Sequence, residues 1–302
     1  MSERRILVTG GTGFIGRALC TRLLAEGWGV DVLTRDAERA RKLLPESVGV
    51  VESAHELTAP PHGMVGLAGE NLGVKRWNEA RKREFVASRV RTTEHLVEYA
   101  AACGSDAPRV LVNGSAVGYY GARGDDEVDE GEPPGDEYQS ELCRQWEAAA
   151  IAARDHGVRV CLIRPGAVLD AGGGPLQSML PAFRFGMGAW LGNGRQWLPW
   201  IHRMDLVRAI LFLIENQDCS GPYNTVAPHA VTHRTFSKAL GRALRRPVWA
   251  GMPAPVVRLM FGEMAEMLLT GQRVVPRRLQ EAGFQFRFPD LDAALAEIVD
   301  GG

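Results

Sequence analysis

Short apolar runs alternate along this chain with stretches of helical period. Arg5 to Thr9 (RILVT) is aliphatic and β-branched and ends in glycines, which predicts a strand. From Phe14 to Glu26, Ile15, Leu19, Leu23 and Leu24 fall on one helical face, and Gly27 marks the stop. The alternation continues with a strand at Gly29 to Leu33, a helix at Asp36 to Leu44 and a weak strand at Val48 to Val51. Met64 to Leu67 is a fourth strand, closed by the turn Ala68-Gly69. A long helix from about Asn78 to Ala102 precedes the strand Arg109 to Val112. Another, from Tyr138 to His156 with Gly157 as its stop, leads into Val158 to Ile163. Strands this uniformly apolar need cover on both faces. The pattern therefore predicts an α/β fold, a Rossmann-type doubly wound parallel sheet.

After Leu169 the alternation fades. Gly and Pro cluster from Ala171 to Pro175 and from Gly186 to Gly194, which predicts loops with short helices. One further pair, a helix at Asp205 to Asn216 and a strand at Pro222 to Val226, returns to the sheet. From Thr232 onward the chain reads as helical, interrupted by Pro253, Pro255 and Pro276. The expected organisation is a core of residues 1–169 plus about 201–228, and a smaller, mainly helical lobe of 170–200 plus 229–302. No internal repeat, low-complexity tract or linker is visible.

Composition narrows the class. With 45% hydrophobic and 24% charged residues, the 302-residue chain reads as an ordinary soluble protein. A formal net charge of -1 gives no electrostatic reason to expect nucleic acid or an anionic membrane as partner. Locally, residues 125–137 are acidic, and Arg273, Arg277 and Arg278 are basic; both read first as solvated faces. Five scattered cysteines, with no CxxC and no His at ligand spacing, point to reduced thiols in the cytosol and to no metal. Arg4 and Arg5 run straight into a strand, so no signal peptide is expected. The apolar run Ala209 to Ile214 is too short to span a bilayer. These features predict a cytoplasmic protein with a small-molecule partner.

The candidate chemistry starts at Thr9-Gly10-Gly11-Thr12-Gly13-Phe14-Ile15-Gly16. The turn satisfies G-x-x-G-x-x-G (Gly10, Gly13, Gly16) and G-x-G-x-x-G (Gly11, Gly13, Gly16), between a predicted strand and a predicted helix. Glycine permits the sharp turn, the approach of backbone to a pyrophosphate and close packing of helix on sheet. The helix N-terminus then receives the phosphates. At the end of the second strand stand Thr34 and Arg35, with Arg39 one turn further on, whereas Asp31 lies back within the strand. An Arg there pairs with a ribose 2′-phosphate, so NADP(H) is favoured over NAD(H).

With this motif at residue 9 and the later segments in order, the chain resembles the extended short-chain dehydrogenase/reductase superfamily, in its NAD(P)-dependent epimerase/dehydratase branch. Leu67-Ala68-Gly69 resembles the turn that lies along the cofactor, and Ser115-Ala116-Val117-Gly118-Tyr119-Tyr120-Gly121 the Ser-containing segment. Arg164-Pro165-Gly166-Ala167-Val168-Leu169 is similar to the loop beside the nicotinamide, and Trp200 to Asp205 to the segment entering the next helix. Gly73-Val74-Lys75-Arg76-Trp77, Ser88-Arg89-Val90, Gly194-Arg195-Gln196-Trp197 and residues 272–279 with Ala282-Gly283-Phe284 resemble an epimerase-like group sometimes labelled cell-division-inhibitor-like. The resemblance implies NADP binding and an epimerase or oxidoreductase acting on a small polar metabolite, a sugar nucleotide or another anion.

The resemblance breaks at the catalytic pair. The superfamily uses a Tyr four residues before a Lys, whose charge lowers the phenol pKa, and a Ser that orients the same oxygen. Ser115 fits the last role. With Glu147 placed on the family's helix, however, Cys143 stands at the Lys position and Gln139 at the Tyr position, and Tyr138 is rotated about 100° away. Two substitutes are open: Tyr119 or Tyr120 as the acid with Arg144 or Arg89 supplying charge, or a reactive Cys143, which reads first as a buried packing residue. Arg76, Arg89 and Arg195, with Lys75 and His202, are the candidates for an anionic substrate. Trp77, Trp190, Trp197 and Trp200 read as core filling. The alternative function is an NADPH-binding regulatory protein that has lost the chemistry.

Overall fold

Strands β1 (Arg5–Thr9), β2 (Gly29–Leu33), β3 (Gly49–Val51), β4 (Gly63–Gly66), β5 (Val110–Gly114), β6 (Arg159–Pro165) and β7 (Gly221–Thr225) form one sheet in the order β7-β6-β5-β4-β1-β2-β3. The structure, a computed structural model, describes residues 4–73 and 76–301. Every neighbouring pair in the sheet is parallel. The order reverses between β1 and β4, so the crevice at the carboxyl ends of these strands is the place where such sheets bind ligands.

The alternation of side chains along each strand separates two apolar layers. Ile6, Val8, Val30 and Val32 face α1 (Phe14–Ala25) and the helix Arg203–Glu215. Leu7, Met64, Leu111 and Leu162 face the other way, against the helices Thr92–Cys103 and Tyr138–Ile151. This two-sided cover is the reason the strands read as unbroken apolar runs. A separate cluster, including Leu180, Phe183, Phe236, Leu240 and Leu295, gathers the helices Gly174–Arg184, His233–Ala243 and Leu291–Asp300.

Several boundaries differ from the sequence reading. The helix expected over 78–102 is two helices, Glu79–Val86 and Thr92–Cys103, joined by a π-helical turn at Ala87–Arg91. β5 and β6 run two residues past their apolar cores, through Asn113-Gly114 and Arg164-Pro165, because the ladder continues where the hydrophobic pattern has stopped. The helix Tyr138–Ile151 tightens into a 3-10 turn at Ala152–His156 before Gly157. Among the described residues, no helix is long and apolar enough to cross a membrane.

Candidate functional site

Steric limits build the turn between β1 and α1. Gly10 has φ 71°, and a Cβ there would stand 2.6 Å from the Leu67 carbonyl. A Cβ on Gly16 would stand 2.1 Å from the Gly10 carbonyl oxygen, and one on Gly11 2.5 Å from Val32. These glycines are fixed by contact between turn, helix and sheet. Gly13 is different: its nearest neighbour is the Gly10 oxygen at 3.1 Å, so a side chain there would project into the space before the turn. Gly13 caps α1 without a side-chain acceptor, and the first helical turn (Phe14, Ile15, Gly16) carries no acid. Its amides lack intrahelical acceptors and suit the diphosphate of a dinucleotide. The segment Leu67-Ala68-Gly69 is tied alongside, with the Leu67 amide donating to the Thr9 carbonyl at 3.1 Å.

Two carboxylates near Arg35, Asp31 and Asp36, are already engaged. Asp31 accepts two 2.7 Å bonds from Arg5. Asp36 caps the helix Ala37–Leu43, accepting from the Arg39 amide at 2.9 Å. Arg35 is exposed and, among the described residues, has no ion-pair partner. It lines a recess of about 520 Å³ with Arg41, Glu38, Glu52 and Glu56. The Arg35 guanidinium suits a 2′-phosphorylated ribose, because it can pair with the added phosphate.

The segment after β5 carries a buried polar chain. Ser115 donates to Glu147 Oε1 at 2.6 Å, and Arg164 grips both oxygens of Glu147 at 2.7 Å each. The same guanidinium donates to the Tyr120 hydroxyl at 2.9 Å, which donates on to Asn224 Oδ1 at 2.6 Å. Tyr119 lies against the guanidinium, 3.6 Å from ring centroid to Cζ. Ser115, Glu147 and Arg164 are 5%, 5% and 3% exposed, so charge and countercharge compensate each other in a dry setting. Burial opposes the Arg164 charge, but the bonds and charge of Glu147 outweigh it and raise the guanidinium pKa. Burial likewise pushes the Tyr120 phenol up, with Arg164 opposing. Tyr120 is fully buried and its hydroxyl occupied at both ends, which corrects its expected role as the proton-exchanging acid.

Residues 6–227 match the model of the NAD dependent epimerase/dehydratase family. The chain belongs to that family. Residues 252–298 also match a domain of unknown function, DUF1731. Epimerase family protein SDR39U1 of Mus musculus is 40% identical over 299 residues, covering 98% of this chain and 99% of that one. Epimerase family protein ML0860 of Mycobacterium leprae is 40% identical, covering 96% and 94%. The crystal structure of human SDR39U1 (isoform2) with NADPH superposes with TM-score 0.90 at 38% identity, covering 99% of this chain and 100% of that one. A nucleoside-diphosphate sugar epimerase from Corynebacterium glutamicum gives TM-score 0.78 at 30% identity, covering 99% of this chain and 58% of that one.

Against the family's Tyr–Lys pattern, Gln139 packs beside Gly118, and Cys143 is buried with its thiol 3.9 Å from the Ala116 carbonyl. Burial, reinforced by Glu147, pushes the Cys143 pKa up to about 11, which removes it as a nucleophile at neutral pH. The Tyr138 hydroxyl donates to the Lys82 carbonyl at 3.0 Å. Arg144 pairs with Glu141 on the exposed side of its helix.

The anion candidates do not converge. Arg76 donates to the carbonyls of Leu259 and Met260, fastening its loop to the C-terminal part of the chain. Lys75 lies outside the described residues. His202 is a correction: it is buried, its Nδ1 accepts from the Met204 amide at 3.1 Å and its Nε2 bonds Glu297 at 3.0 Å, so it caps a helix. Arg89 turns inward from the π-helical turn to the Glu70 carbonyl at 2.9 Å, with a Cβ on Gly69 falling 2.9 Å from its guanidinium. Arg195 is exposed. The tryptophans are dispersed: Trp77 against Tyr138, Trp190 under Arg234, Trp197 bonded to Asp125, and Trp200 fully in the core. Sequence reasoning missed the buried pairing of Glu147 with Arg164. The available signal was a charge closing each apolar pattern: Arg164 after Val-Cys-Leu-Ile, and Glu147 four residues beyond Cys143.

Proposed function

We propose that this chain is an NADP(H)-dependent epimerase or oxidoreductase acting on a small polar metabolite, with Ser115, Glu147 and Arg164 handling the proton in place of the missing Tyr–Lys pair. Gly10, Thr12, Gly13, Phe14, Ile15 and Gly16 hold the diphosphate, Thr34 and Arg35 the 2′-phosphate. Leu67, Ala68 and Gly69 run along the cofactor, and Pro165, Gly166 and Val168 border its nicotinamide. The NADPH in the human relative supports this assignment. When bound, NADP(H) supplies or accepts a hydride.

One observation carries the chemistry: the Ser115 proton is committed to Glu147. The Ser115 oxygen therefore offers lone pairs to a substrate hydroxyl. As the substrate O–H bond breaks, its proton moves to Ser115 Oγ while the Ser115 proton moves to Glu147; reduction reverses both transfers. Arg164 fixes Glu147 and balances its charge. Residues 1–169 and 201–228 carry the cofactor side of the cleft, and 170–200 with 229–302 the substrate side, where Arg195 is free to meet an anionic group. We place the protein in the cytosol, where its five thiols stay reduced.

The second reading, an NADPH-binding regulator without turnover, draws on Gln139 and Cys143 at the Tyr and Lys positions. A panel of sugar nucleotides and aldehydes with NADPH decides between them. Turnover is expected, and Ser115→Ala should reduce it by about 10²–10⁴-fold, the worth of a positioned proton-transfer group. Tight NADPH binding with no turnover across the panel would select the regulator.

A further inference from the structure

In the C-terminal region, two touching turns carry exposed apolar side chains and several cations. The helix Gly174–Arg184 runs out into Phe185 and Met187, which are 81% and 70% exposed. The helix His233–Ala243 runs out through Arg245 and Arg246 to Trp249, 82% exposed. The two turns touch: Arg246 Nε donates to the Arg184 carbonyl at 2.9 Å. Further along, the two segments pair in parallel, Gly251 with Trp190 and Met252 with Leu191.

The turn before Trp249 borders a concavity of about 340 Å³ whose lining includes Lys238, Arg242, Arg245 and Arg246. Arg242 pairs with Asp292 at 2.6 Å. Lys238, Arg245 and Arg246 have no ion-pair partner among the described residues. Arg245 is also the non-glycine residue with positive φ, 54°, one position past the helix cap where glycine is usual.

We propose that this corner is a docking site for an anionic lipid bilayer surface, with phosphate headgroups in the cationic concavity and Trp249, Phe185 and Met187 sunk to the acyl boundary. Charge complementarity selects the occupant. The three apolar side chains stand on turns and line no groove, which suits a soft planar phase. Trp prefers that interface because one end of its ring is apolar and the other a donor. Net charge near zero predicts no pull on a membrane, but a local cluster acts within a Debye length, where the whole-chain sum has no bearing. Association of this kind is peripheral and needs no spanning helix.

The test is co-sedimentation of the full chain, loaded with NADPH, with vesicles of phosphatidylcholine alone or mixed with phosphatidylserine. Enrichment is expected with phosphatidylserine only, falling with added salt, together with a blue shift of tryptophan emission. Arg245→Glu with Arg246→Glu should weaken it by more than about twentyfold, given roughly fivefold for each cation near such a surface. Trp249→Ser should weaken it and remove the blue shift. NADPH binding should be unchanged in all variants, which certifies their fold. Absence of enrichment, or enrichment that these substitutions leave intact, overturns the proposal. So does binding of poly-glutamate without vesicles, which would make the partner an acidic protein, or self-association lost in Trp249→Ser, which would make it a second copy of this chain.

Discussion

Glu147 has the most to do of any single residue, because it holds the Ser115 proton and neutralises Arg164 within the protein interior. Removing one partner of such a pair leaves the other charged and dry. Arg164→Met is therefore expected to lower unfolding stability by about 3–5 kcal/mol in urea titrations. Glu147→Gln keeps the shape but accepts no proton, so it should cut turnover by about 10²-fold or more while NADPH binding persists. Turnover retained in Glu147→Gln would rule out the relay. Ser115 stood out in the sequence because its segment resembles a known one. Glu147 and Arg164 were not read as a pair, since a charge that closes an apolar pattern does not say which distant charge it meets on folding. His233 gives a second residue-scale expectation. It is buried with Nδ1 accepting from the Leu191 amide, and burial lowers its pKa from 6.5 to about 4. Between pH 6.5 and 4 the unfolded chain binds the extra proton, so stability falls as pH falls through that window, by on the order of 3 kcal/mol, and no further below it. His233→Gln should flatten that part of a stability-against-pH curve.

Among the elements, the long helix read over 78–102 shows where periodicity runs out. Every residue there tolerates a helix, and one extra residue in a turn leaves the apolar pattern readable on both sides. The π-helical turn at Ala87–Arg91 changes the phase between the two halves, and Arg89 sits within it, aimed at Gly69 and the Glu70 carbonyl. Such turns are enriched at functional sites. Deleting Val90 should restore a continuous helix and rotate Arg89 by about 100°. NADPH affinity should drop by about tenfold, near 1.4 kcal/mol, in a fluorescence titration. Unchanged affinity would mean that Arg89 does not support the cofactor turn. The strands, by contrast, were legible to within two residues, because two-sided burial demands continuous apolar runs.

For the whole molecule, the sequence carried the sheet, its parallel sense and the tight glycine turn after β1, since these follow from local sterics and periodicity. The chain after Leu169 was opaque: its short strands and helices pack through long-range contacts such as Trp200 with the His229 carbonyl and Arg76 with Leu259 and Met260. The account rests on a cofactor site that prefers a 2′-phosphate, because Asp31 and Asp36 are engaged elsewhere and Arg35 is not. Titration of the purified chain with NADPH and with NADH measures this directly. A charge-assisted contact from Arg35 predicts NADPH bound about 10–100-fold more tightly, and Arg35→Ser should erase the difference. Equal affinity for the two coenzymes, or a difference that survives Arg35→Ser, would contradict it.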